Sequence, residues 1–107
     1  MTMQSLAALS EDELLVRISE ALAPSTGFGG DDWQILVKRG KAWVEAQSDR
    51  IREAICGKVD ETGDLLTDAS AASLALTPLF KDSAIVLALS MLVAKHGLKA
   101  YCAPPPH

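Results

Sequence analysis

Apolar positions recur with a helical period along most of this chain, and nowhere do they alternate for long enough to suggest a strand. The densest run, Ala84 to Ala94, is apolar on nearly every side, with Ser90 as its one interior polar residue. A helix apolar all round is either a core helix or a membrane span. This run is about half the roughly 20 apolar residues that a bilayer core requires, so it reads as the central helix of a bundle. Thr77-Pro78 marks its start, as an N-cap residue followed by proline at the first helical position. Lys95 and His96 suit the negative end of the helix dipole, and Gly97 supplies the left-handed stop, with Leu98 folding back onto the last turn. The expected helix is therefore 77–96.

Three further helices are expected around it. Ser10-Glu11-Asp12-Glu13 forms a capping box in which Ser10 bonds forward and Glu13 bonds back, and Leu9 and Leu14 are placed to form a staple across it. The helix that follows, 10–23, sets Leu14, Leu15, Ile18, Ala21 and Leu22 on one face and stops before Pro24. From 32 to 56 one phase persists through Trp33, Leu36, Val37, Gly40, Trp43, Val44, Ile51, Ala54 and Ile55. Unbroken, this helix would span about 36 Å; Ser48-Asp49 offers an alternative restart that would divide it in two. Gly40 lies within the stripe, costing about 1 kcal/mol of helix propensity while letting a neighbouring helix approach closely, and the 84–94 run is the expected neighbour. Gly57 ends the long helix, and Thr67 or Asp68 caps a short Ala/Ser-rich helix, 68–76. The resulting expectation is an all-α compact bundle of about four principal helices (10–23, 32–56, 68–76 and 77–96). Short terminal turns at Met3–Leu9 and at Leu98–Cys102 complete it. One domain is expected over 1–102, followed by a Pro-rich tail, 103–107, that cannot be helical.

Composition narrows the function classes. A hydrophobic fraction of 49% and a charged fraction of 22% are those of a globular domain rather than a disordered chain. A net charge of −4 with only 5% aromatics argues against a phosphate-backbone grip or base-stacking platforms, so no nucleic-acid partner is expected. The pair of helices around Thr77-Pro78 has helix-turn-helix order, but the second helix lacks the polar side chains a recognition helix needs. The N-terminal residues have no basic-then-apolar pattern of a signal peptide, which sets a cytoplasmic location as the expectation, with no membrane partner. In that setting Cys56 and Cys102, without CxxC spacing, are expected to be reduced and buried.

No motif for catalysis, cofactor or metal emerges, and none of these is expected. The Gly-rich stretch around 27–30 lacks phosphate-loop spacing, no strand precedes it, and Asp31 and Asp32 sit where an anion would dock. Asp60, Thr62 and Asp64 have calcium-loop spacing, but Leu65 stands where the glycine should be and Ala71 where the bidentate glutamate should be. His96 and Cys102 lack a third orienting residue for a nucleophile pair, and zinc would need more ligands than these.

Lys38, Arg39, Lys41, Arg50 and Arg52 form the one basic element of an acidic chain, reduced to a net +2 by Glu45, Asp49 and Glu53. They are the candidate partner-binding residues, suited to an acidic protein. By elimination the expected function is non-enzymatic: an interaction domain that works through a helix surface, either by binding a protein partner or by self-association. Death-fold adaptors are helical bundles of similar size, but none of their motifs occurs here, so the likeness is one of class alone. Size and acidity also fit accessory roles in bacterial antitoxin, immunity or defence systems. The alternative from another class is a small-ligand-binding protein or minor enzyme subunit with a pocket near Trp33, Trp43 and Cys56.

Overall fold

The computed structural model describes residues 3–22 and 33–102, and the Gly-rich stretch and Pro-rich tail lie outside them. Over the described residues the chain is all-α, in seven helices: α1 Met3–Ala7, α2 Glu11–Leu22, α3 Trp33–Ala46, α4 Ser48–Ile55, α5 Leu65–Leu76, α6 Ser83–His96 and α7 Leu98–Cys102. None of them is long and apolar enough to cross a membrane. α6 is central, packing against α1, α2, α5 and α7. Its Val86, Ala88, Leu89, Met91 and Val93 join Leu14, Ile18, Ile51, Ile55 and Leu76 in one core.

Local chemistry accounts for most of the helix ends. Ser10 N–H donates to Glu13 Oε1 at 3.0 Å and Glu13 N–H donates to Ser10 Oγ at 3.1 Å, the reciprocal pair expected of the capping box. Leu14 is fully buried and Leu9 packs against the core beside the box. Gly57, just beyond α4, and Gly97, closing α6, both take positive φ, and Gly97 N–H donates to the carbonyls of Val93 and Ala94. α7 then folds back, burying Leu98 and half-burying Tyr101.

Six expectations are corrected. The four principal helices are seven helices among the described residues, because the longest expected element divides and short turns are helical. That division falls at Gln47, whose N–H is shared between the carbonyls of Trp43 and Val44. α3 then lies against α2 while α4 turns to α5 and α7, bringing Ile51 and Ile55 into the core. A straight rod from 32 to 56 could not serve both sets of neighbours. The central helix starts at Ser83 and not at Thr77, because Asp82 caps it, accepting from Ala84 N–H at 2.8 Å and Ile85 N–H at 3.4 Å. Thr77 instead ends α5, with both its N–H and its hydroxyl donating to Ser73 O. Pro78, having no N–H to give, follows as a stop.

The start of α5 also moves, from 68 to Leu65. Asp64 is its cap, accepting from Thr67 N–H at 2.9 Å, while Asp68 turns inward beneath the preceding loop. Gly40 does permit a close approach, but the helix that approaches is α2 rather than the 84–94 run. A Cβ at Gly40 would stand 2.3 Å from the Leu15 carbonyl oxygen, and Ser19 Oγ donates across the same crossing to the Leu36 carbonyl. The last correction concerns the thiols: Cys56 and Cys102 are joined in a disulfide with Cα atoms 5.6 Å apart. Neither is free, and the bond ties the end of α7 to the end of α4.

Candidate interaction surfaces

The five candidate cations were expected along one helix, and the break at Gln47 divides them among three places. Lys38 and Arg39 are exposed on α3, on the side turned away from α2. At about 100° per residue, Ile35, Arg39, Ala42 and Ala46 form one column with Lys38 beside it. All five are exposed, Ile35 at 53%. This face carries apolar contact area flanked by two cations. The inward stripe that defined α3 in the sequence is itself only part-covered, Gly40 being its one fully buried residue and Trp33 standing 49% exposed at the helix start.

Lys41 of α3 and Arg52 of α4 both line a cleft of about 390 Å³ that α2, α6 and α7 also border. Glu11, Asp12 and Glu45 share its rim, while Leu15, Val37, Val44 and Leu92 form its floor. The mixed signs make it a solvated, self-neutralising surface. Arg52 is also committed to the fold, its guanidinium 5.2 Å from the Tyr101 ring centroid and its Nε–H donating to Tyr101 O at 3.3 Å. Burial holds the Tyr101 phenol above its ordinary value, and the nearby Arg52 charge offsets this only in part.

Arg50 occupies the third place. Its guanidinium lies 5.4 Å from the Phe80 ring centroid, Nη1 donates to Gln47 Oε1 at 3.1 Å and Nη2 to Leu79 O at 3.4 Å. It thereby joins the helix break to the α5–α6 turn, and it also borders a groove of about 790 Å³ between α4 and α5. Sequence reasoning missed this groove. No signal in α5 itself pointed to it, since exposed Thr67 and Ser70 give that helix an ordinary solvent face.

Asp64 and Asp68, at the start of α5, serve the fold. Asp68 is only 4% exposed and accepts from Thr62 N–H at 2.9 Å, from Thr62 Oγ1 at 2.7 Å and from Gly63 N–H at 3.3 Å. Desolvation raises its pKa, but these three donors outweigh it and hold the carboxyl below its ordinary range. Asp64 is lowered by the hydroxyl and N–H of Thr67, and Glu13 by the N–H and hydroxyl of Ser10. Among the described residues no group of three or more His, Cys, Asp or Glu could hold a metal ion. The residues proposed for a ligand pocket are dispersed: Trp43 packs against Phe80 with ring centroids 5.4 Å apart, Cys56 is in the disulfide, and Trp33 is exposed. None of the three lines the α4–α5 groove or the Lys41–Arg52 cleft.

The class that these features define is an all-α fold with exposed apolar positions on its helix surfaces. The chain matches no family model, no curated protein and no solved structure.

Proposed function

We infer that this protein is a small non-enzymatic interaction module whose outer α3 face docks an acidic amphipathic segment of a protein partner. One observation supports this above the others: Ile35, Ala42 and Ala46 stand exposed in one column that Arg39 shares, with Lys38 beside it, on a chain of net charge −4. An apolar strip flanked by cations suits an amphipathic helix with acidic edges, the apolar contact giving affinity and the charges giving orientation and encounter rate. Of the five cations, Lys38 and Arg39 carry this role. Lys41 sits at the margin, and Arg50 and Arg52 are occupied with Phe80 and Tyr101.

The disulfide bears on where such a module works. Disulfides persist in oxidising compartments, whereas a cytoplasm keeps thiols reduced. A cytoplasmic location therefore implies that the working form is the dithiol, and an oxidising compartment implies the bridged one. Thiol labelling of the protein in its native cells distinguishes the two.

The binding test uses a designed acidic amphipathic helical peptide, with a charge-reversed copy as control, titrated by fluorescence anisotropy. Saturable binding of the acidic peptide alone is expected, weakening as salt rises and weakening about 10-fold or more in Lys38→Glu/Arg39→Glu, a loss of about 1.4 kcal/mol. Equal binding of both peptides, or an unchanged affinity in the double variant, refutes the assignment of this face.

A further inference from the structure

α2 is buried on two sides that lead to different places. Leu14 and Ile18 belong to the main core, on the side where α6 packs. Leu15 and Ser19, about 100° round the helix from them, lie under α3 at the Gly40 crossing. Both are buried, yet Leu15 is not part of the main core. The α2–α3 contact is therefore a separate layer, and α3 contributes little to it. Gly40, its one buried residue, brings no side chain. Leu36 and Val37 are part-covered and lie outside the core, and Ser19 Oγ secures the crossing by donating to the Leu36 carbonyl. Of the described α3 residues, Trp43 and Val44 in the last turn pack against the core, Trp43 on the Phe80 ring.

The elements beside α3 are held without it. The N–H of Gln47 is shared between the Trp43 and Val44 carbonyls, while its own carbonyl accepts from Ile51 N–H to begin α4. Arg50 moors that start to the α5–α6 turn through the Phe80 ring and the Leu79 carbonyl, and Ile51 and Ile55 fix α4 in the core. α2 likewise keeps Leu14 and Ile18 in the core when its Leu15 side is uncovered. A helix of 14 residues with an internal glycine is marginal in isolation, so α3 melts once it lifts from α2, and the break at Gln47 stops the melting there. We propose that α3 is a detachable cover, leaving α2 and unfolding as one unit up to Gln47, so that Leu15 and Ser19 are exposed while α1, α2 and α4 to α7 stay folded. How α3 is held does not depend on what its outer face binds, so the docking assignment stands or falls separately.

The test is native-state hydrogen exchange on the full, disulfide-bonded chain, read amide by amide by NMR at denaturant concentrations below the unfolding transition. Amides 37–46, those with acceptors inside α3, should share one opening constant. It should exceed that of the slowest amides of α2, α5 and α6 by about 10-fold or more and depend less on denaturant, because less surface is exposed. Ile55→Val, at the end of α4 away from the break, should speed exchange in α5 and α6 by about 2–10-fold. It should leave amides 37–46 unchanged, since the contacts of Ile55 persist while α3 is off. Amides of α3 that follow the same denaturant dependence as α6, or that speed up equally in Ile55→Val, overturn the proposal, the fold then opening only as a whole. A graded loss running inward from Trp33 with no common constant also overturns it, as fraying of a helix end.

Discussion

Gly40→Ala separates two physical effects of opposite sign. Considered as a helix residue alone, alanine is favoured over glycine by about 1 kcal/mol. Considered as a packing residue, its Cβ would lie 2.3 Å from the Leu15 carbonyl oxygen and 3.2 Å from Ser19 Oγ. The first contact is about 1 Å short of an ordinary van der Waals separation. It is made by backbone, so no side-chain rotamer relieves it and α2 must move. A displacement of that size costs about 1–3 kcal/mol as overpacking. It also stretches the hydrogen bond from Ser19 to Leu36, a contribution of about 1 kcal/mol from a residue with no exposed surface. Packing and hydrogen-bond losses together exceed the propensity gain, leaving a net destabilisation of about 1–3 kcal/mol. For a chain of 107 residues, each kcal/mol corresponds to about 4–5 °C, so Tm should fall by roughly 5–13 °C. Urea unfolding followed by far-ultraviolet circular dichroism measures the change. Ala42→Gly, on the exposed face of the same helix, calibrates the propensity term at about 1 kcal/mol. A Gly40→Ala variant that is more stable than the parent would refute the close α2–α3 crossing.

Two further perturbations test other parts of the fold. Replacing Cys56 and Cys102 together by serine, or adding reductant, opens a loop with a sequence separation of 46; chain entropy puts the loss at about 4 kcal/mol, or roughly 18 °C in Tm. Two titratable thiols in the unfolded, unreduced protein, with a Tm indifferent to reductant, would contradict the bridge. Glu13, Asp64 and Asp68 all have folded pKa values below their ordinary ones, so each contributes stability that is complete above the unfolded carboxylate range of about pH 4 and is lost as pH falls through the depressed folded values. Urea midpoints should accordingly hold between about pH 7 and 5 and drop below about pH 4, with Asp68→Asn less stable at neutral pH and showing a shallower acid loss; an unchanged acid slope in that variant would remove Asp68 from the account.

Much of the candidate surface was hidden in the sequence for a definable reason. The basic residues were visible as a group, but their separation depended on the break at Gln47, which turns α4 away from α3. Arg50 and Arg52 looked like surface charge because Phe80 and Tyr101, the rings they cover, are distant in sequence. The α4–α5 groove was not legible in α5 itself, whose exposed Thr67 and Ser70 give it an ordinary solvent face beside Leu74; it is set by where α4 lies after the break at Gln47. Asp82 was likewise a legitimate cap signal, outcompeted in sequence reasoning by the neighbouring Thr77-Pro78.

What the sequence determined by itself is what acts within about one helical turn. The Ser10–Glu13 box, the stops at Gly57 and Gly97, the helical phase of each apolar stripe and the central character of the 84–94 run all depend on neighbours three or four residues away. The tertiary structure decided the choices between local solutions of nearly equal standing. It selected Asp82 over Thr77 as a helix start, α2 over α6 as the helix that meets Gly40, and two helices over one between 32 and 56. It also paired Cys56 with Cys102. Each of these choices turns on which apolar faces cover one another across the whole chain, a contest of burial between distant segments that no window of neighbouring residues contains.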